Sequence, residues 1–205
     1  MLLKSKNKFY TNPNNKMKKT LLITLLLFSF IGFSQNTITC TIKTSLGDIQ
    51  MELYGDKAPI TVSNFLNYVN NKLYDNANFF RVCTNENEAD RTIKIEVVQG
   101  GDIPVENLFE PIELEPTEQT KILHKNGTVS MARDEPNTAQ SSFFICINDQ
   151  PNLDFGGKRN PDGLGFAAFG KVTDGMEVVL KIQSGQNKNQ VLISPIIIYS
   201  IRRNN

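Results

Sequence analysis

Apolar positions along the chain change their period several times, and each change marks an element. From Thr37 to Thr44, and again from Ile49 to Leu53, β-branched and apolar residues dominate; Ser45-Leu46-Gly47-Asp48 joins the two runs, its glycine free to take the positive φ of a tight connection. This predicts a hairpin. Pro59 suits the first turn of a helix, and Val62, Phe65, Leu66, Val69 and Leu73 recur at spacings of three and four, so a helix is predicted over 59–71. Short strand-like runs follow at Phe79 to Cys83, Ile93 to Gln99, Thr128 to Met131, Phe143 to Ile147 and Ala167 to Val172, separated by connections rich in Asn, Asp, Gly and Pro. Met176, Val179, Leu180 and Ile182 form a second, short helical stripe after Gly175. Val191 to Ile201 reads as a closing strand whose Pro195 calls for an edge position or a bulge. The order hairpin, helix, strands, helix, strand predicts a mainly β protein built on a closed or sandwiched antiparallel sheet. The charge-rich stretch Asn85 to Arg91 reads as a solvated loop.

Composition adds a boundary. A chain of 205 residues, 40% hydrophobic and 21% charged, suits one domain with a leader. Lys18-Lys19 precede an apolar run from Leu21 to Phe33, and small residues Gly32 and Ser34 close it, the pattern of an export signal cleaved near Ser34-Gln35, with translation starting at Met17. That run is too short for the roughly 20 residues that cross a bilayer, so no membrane span is expected in the mature form. The expected division is therefore a leader over 1–34 and one domain over 35–205. The leader holds six lysines and no other charge; losing it takes the formal net charge from +1 to −5. A chain of that sign has no basic field for phosphates, which excludes nucleic acid as a partner.

Several chemistries are absent. Cys40, Cys83 and Cys146 are odd in number, widely spaced and set among apolar residues, so they read as buried thiols. The single histidine, His124, has no nucleophile signature beside it and reads as structural. The loop Asp154 to Gly163 lacks the alternating acidic ligands of a calcium loop, and Gly100-Gly101 is followed by Asp102 and Pro104 rather than by a phosphate-binding helix start. No cofactor is implied.

What remains is an arginine in an aromatic strand, Phe79-Phe80-Arg81, a glutamine before a diglycine, Val97-Val98-Gln99-Gly100-Gly101-Asp102, and the apolar strand Ser142-Phe143-Phe144-Ile145. With Gly47-Asp48-Ile49, Ala58-Pro59, Gly127 to Arg133, Pro136-Asn137-Thr138, Leu153-Asp154, Phe169 to Val172 and Gly175-Met176 in the same order, the chain resembles the cyclophilin family of peptidyl-prolyl cis/trans isomerases over nearly all of its presumed mature length. The resemblance implies a closed eight-stranded antiparallel β-barrel capped by two α-helices. It implies catalytic roles for Arg81, as the donor to the twisted amide, and for Gln99, which holds that arginine. It also implies a proline-gripping pocket walled by Val97, Phe144, Leu153 and Phe166, with Ala132 and Arg133 contacting the peptide.

The pattern departs from the family at Glu96 and Val97, where relatives carry an aromatic residue and a methionine, at Ser142 in place of glutamine, and at Arg133 and Asn152. A one-residue slip of the strand would bring Ile95 into the wall. The function expected from the resemblance is isomerisation of X-Pro bonds in unfolded exported proteins, by a monomer outside the cytoplasm, in the periplasm. The alternative is a non-catalytic proline-peptide-binding chaperone on the same barrel.

Overall fold

The computed structural model of the protein describes residues 38–204; the leader read from the sequence lies outside them. Eight antiparallel strands close into a barrel in the order β1 (Ile38–Thr44), β2 (Gly47–Leu53), β7 (Ala167–Asp174), β5 (Thr128–Met131), β6 (Phe143–Cys146), β4 (Val97–Gly100), β3 (Ala77–Cys83) and β9 (Val191–Arg203), and β9 returns to pair with β1. A two-residue strand, β8 (Asn187–Lys188), hangs on the start of β9. Closure leaves no long unpaired edge. The helices are α1 (Pro59–Asn70), a single turn α2 (Thr117–Thr120), and α3 (Met176–Gln183).

Helix α1 buries Val62, Phe65, Tyr68 and Val69, the stripe that the periodicity predicts. Its first turn has no local side-chain cap. Instead the buried carboxylate of Glu115 accepts from the backbone N–H of Ile60 and Thr61 and from the Thr61 hydroxyl, satisfying two of the orphan donors of a helix start. Val62 lies against Gly55, just past the end of β2, while Val178 of α3 lies against Gly47 at its beginning. The two longer helices thus close opposite mouths of the barrel. Phe65, Tyr74, Phe143 and Phe169 meet in the interior with ring centroids 5.2–5.7 Å apart.

Two expectations are corrected. The strand expected from Ile93 begins only at Val97, because side chains occupy the backbone of the residues before it: Ile95 N–H donates to Glu88 and the Ile93 carbonyl accepts from Arg159. The segment Asn85 to Arg91 is not wholly solvated, since Glu88 is 1% exposed, accepts from the Ile95 N–H and also accepts from Arg159. Pro195 is accommodated by a bulge, as it must be without a ladder donor. On β9 the interval from Val191 to Ile196 faces only the interval from Arg81 to Phe79 on β3.

Candidate active site

The site sits on the outer face of the barrel, and a break in strand alternation puts it there. Phe79 points into the barrel core; by a period of two, Arg81 would too. The pairings of β3 with both β4 and β9 shift register between Phe79 and Arg81, so Phe80 and Arg81 both face outward and Val82 returns to the core. On β4 and β6 the alternation is regular. Val98, Phe143 and Ile145 join the interior, while Val97, Phe144 and Cys146 join Cys83, Ile95 and Leu153 in a second apolar cluster outside it, flanked by Ala132 and Phe166.

Gly100 and Gly101 are required where they stand. A Cβ on Gly100 would lie 2.6 Å from the Phe79 ring, and Gly101 has φ +86° with the Ser141 carbonyl 2.8 Å from where its Cβ would be. The chain therefore turns away directly after Gln99, which pairs with Arg81 across β3 and β4.

The Arg81 guanidinium is held from two sides. Nη1 donates to Gln99 Oε1 at 2.8 Å, and Nε and Nη2 donate to Gln190 Oε1 at 2.9 and 2.6 Å. Gln99 Nε2 donates in turn to Ser142 Oγ at 2.9 Å, so Ser142 anchors this amide. A guanidinium has five N–H groups and accepts nothing. Three are used, and two have no partner among the described residues.

Arg81 and Gln99 border a cavity of about 460 Å³ that is also lined by Val97, Ala132, Arg133, Phe144, Leu153 and Phe166. All eight residues singled out in the sequence thus meet in one place. Ile95 lines it as well without any slip of register, because 95, 97 and 99 already share one face at a period of two. Glu96 points elsewhere and accepts from Asn148.

Phe166 packs edge-on against Phe144, at 5.4 Å and 90°, and Arg133 lies over its other side with the guanidinium carbon 5.3 Å from the ring centre. Arg133 lines the cavity, but its guanidinium is committed elsewhere. All five of its N–H groups are engaged, by the Gly165 and Asp134 carbonyls and by both oxygens of Asp162, leaving no part of the guanidinium for a peptide. Those bonds hold the Asp162 carboxyl below the ordinary range. The N–H of Ala132 is likewise spent on the Ser142 carbonyl, so of its backbone groups only the carbonyl remains for a peptide.

His124 Nδ1 meets Asp154 at 2.7 Å and Nε2 meets Ser130 Oγ at 3.0 Å. The arrangement has the order of a hydrolytic triad, but Ser130 is 0% exposed and His124 1%. No substrate reaches that hydroxyl, and the ring instead stacks behind Phe144, 6.0 Å away. Cys83 is buried beside Gln190, and burial pushes its thiol up to about 11 despite the nearby charge of Arg81. Among the described residues no three side chains are grouped to hold a metal ion, and no helix is long and apolar enough to cross a membrane.

Three residues enter the site without a signal in the linear pattern: Gln190, Glu88 and Arg159. Gln190 is 109 positions from Arg81, and Glu88 is 71 from Arg159. Asn160 is a fourth; it lines the cavity, and its buried Nδ2 has no partner among the described residues.

A closed eight-stranded barrel with an arginine and a glutamine beside a pocket with one apolar wall defines a class, and comparison with known proteins agrees. Residues 39–203 match the family model described as cyclophilin type peptidyl-prolyl cis-trans isomerase/CLD. Peptidyl-prolyl cis-trans isomerase cyp18 of Streptomyces antibioticus is 34% identical over 174 residues, covering 80% of this chain and 97% of its own. Peptidyl-prolyl cis-trans isomerase A of Dickeya dadantii is 34% identical over 200 residues, covering 90% and 97%. A cyclophilin-type isomerase of Cryptosporidium parvum, solved in the presence of the dipeptide Ala-Pro, superposes with a TM-score of 0.65 at 24% identity, covering 82% of this chain and 99% of its own. The chain belongs to the cyclophilin-type peptidyl-prolyl cis-trans isomerase family and is an enzyme of that class.

Proposed function

We propose that the isomerase turns X-Pro bonds of unfolded exported proteins, with Arg81 as the catalytic donor and Gln99 as its holder. The observation that carries this reading is the pair of N–H groups, without a partner among the described residues, on a guanidinium fixed at the edge of a cavity that has an apolar cluster on one side.

The reaction breaks no bond. Amide resonance sets a rotational barrier of about 18–20 kcal/mol, and twisting localises the lone pair on the prolyl nitrogen. A donor aimed at that nitrogen binds the twisted state more tightly than either planar state, which lowers the barrier. Ile95, Val97, Phe144, Leu153 and Phe166 would give the proline ring an apolar seat. Ile95 fills the side of the pocket that the departures at Glu96 and Val97 had left open. The lysine-flanked apolar run before Ser34 supports export to the periplasm, with the mature protein working there as a monomer on proline-containing segments.

The test is cis-to-trans relaxation of a short proline peptide with the protein and with Arg81→Ala. Acceleration that collapses in the variant supports the assignment. An unchanged rate in a folded variant overturns it and favours proline-peptide binding by the rest of the pocket. Terminal sequencing of protein recovered from the cell envelope should begin at Gln35.

A further inference from the structure

Gln190 occupies a backbone position that glutamine has no local reason to take. It is the second residue of the two-residue turn Asn189-Gln190 between Lys188 and Val191, with φ +51° and +74° at the two positions. Glycine is the usual occupant of such a turn, and a side chain there is strained. Strain of this kind persists where the surrounding structure holds the residue in place. What holds Gln190 is polar on every side. Its carbonyl accepts from Val82 N–H at 2.8 Å, its Oε1 takes two bonds from Arg81, and its Nε2 donates to Glu88 Oε1 at 3.2 Å.

Glu88 explains the orientation of that amide. Its carboxylate is buried and takes both arms of Arg159, at 2.9 and 2.5 Å, together with the Ile95 N–H at 2.8 Å. Burial alone would push the carboxyl up. The bonds from Arg159 and Ile95 and the charges of Arg159 and Arg91 outweigh that and hold it below the ordinary value, so it is ionised and accepts only. The guanidinium on the other side of Gln190 donates only. Between an acceptor and a donor, the amide has one orientation: Nε2 toward Glu88, Oε1 toward Arg81.

We infer that Gln190 is a positioning residue for Arg81, and that the Asn85 to Arg91 segment serves the isomerase site through Glu88 by fixing that glutamine. The inference rests on Arg81 being the catalytic donor. The guanidinium then presents its two free N–H groups in a fixed direction before the peptide arrives, while the apolar pocket that binds proline does not depend on Gln190.

Gln190→Gly tests this, because it removes the amide and relieves the turn together. Catalysed exchange of a proline peptide should show kcat reduced about tenfold with KM nearly unchanged, while Tm is held or raised. The Arg81 Nε–H resonance should be protected from solvent in the wild type and exchange rapidly in the variant. A merely structural glutamine would leave kcat alone. A fall in kcat of less than threefold overturns the inference, as does an Nε–H that stays protected. Arg81→Ala measured alongside separates the two readings: if it collapses the rate while Gln190→Gly does not, the positioning role fails and the catalytic one stands. If neither changes the rate, the catalytic reading itself has failed. Replacing Glu88 and Arg159 together, as Glu88→Gln with Arg159→Met, removes both charges of the buried pair, leaves the Gln190 amide free to turn, and should lower kcat by a smaller factor with the same loss of Nε–H protection.

Discussion

Arg81→Lys asks whether the geometry of the cation matters or only its charge. Lysine keeps the positive charge and brings three N–H donors from a single atom, whereas the guanidinium spreads five over a rigid plane. In the wild type three of the five go to Gln99 and Gln190, and two have no partner among the described residues, which the proposed role assigns to the peptide. An ammonium that satisfies both glutamine oxygens has one donor left. The variant therefore loses one charge-assisted hydrogen bond to the twisted amide, worth about 1.5–3 kcal/mol, which at about 1.4 kcal/mol per tenfold lowers kcat/KM by about 10- to 100-fold. If the loss is confined to the twisted state, kcat carries it and KM barely moves. The assay is relaxation of a proline tetrapeptide monitored by NMR exchange, with far-UV circular dichroism to verify folding. Activity within threefold of the wild type would refute the counting of donors, because charge alone would then suffice.

Arg133→Met removes five donated bonds around Gly165, Asp162 and Asp134 but keeps an apolar stem beside Phe166. Stability should fall by about 1–3 kcal/mol in thermal melts, and KM should rise several-fold with kcat little changed, since one wall of the pocket loses its backing. Acid should weaken the fold through Glu88, Asp75 and Asp162, whose carboxyls are all held below their ordinary values. Depressed values mean that the unfolded chain binds protons first as pH falls. The stabilisation is thus complete above the unfolded values, 4.5 for Glu88 and 3.8 for the aspartates, and is lost as pH drops through the lower folded ones. Melting temperature measured against pH should be level above about pH 5 and decline below it; a decline that is absent in Glu88→Gln assigns that share to the buried carboxylate.

Most of the barrel was legible because burial on one face leaves a period of two in the sequence, and α1 and α3 because it leaves a period near 3.6. The start of β4 was not. Ile93, Ile95 and Val97 alternate like a strand, yet the backbone before Val97 is occupied by Glu88 and Arg159, and pattern alone cannot tell a ladder partner from a side chain. The site divides the same way. Arg81, Gln99 and the pocket walls lie in short runs whose order carries the resemblance, and they do meet around one cavity. Gln190 was invisible because nothing in Asn189-Gln190-Val191 distinguishes a turn glutamine facing solvent from one facing an arginine more than a hundred residues earlier. Arg133 was legible as a pocket residue but not in its direction, which depends on where Gly165 and Asp162 fall in space.

With Arg81 as the proposed donor, its choice of partners suits what the reaction would ask of it. A carboxylate directly on the guanidinium would grip it harder than an amide does, since charge-assisted bonds are about twice as strong as neutral ones. It would also cancel the field that a twisted prolyl nitrogen uses. Here the two groups that touch Arg81 are neutral amide oxygens, and the carboxylate stands one side chain further away with its charge matched by Arg159. Glu88 therefore lends rigidity to Gln190 without neutralising Arg81. On the proposed reading, this separation of holding from charge gives the buried ion pair and the strained turn a role beside a reaction that breaks no bond.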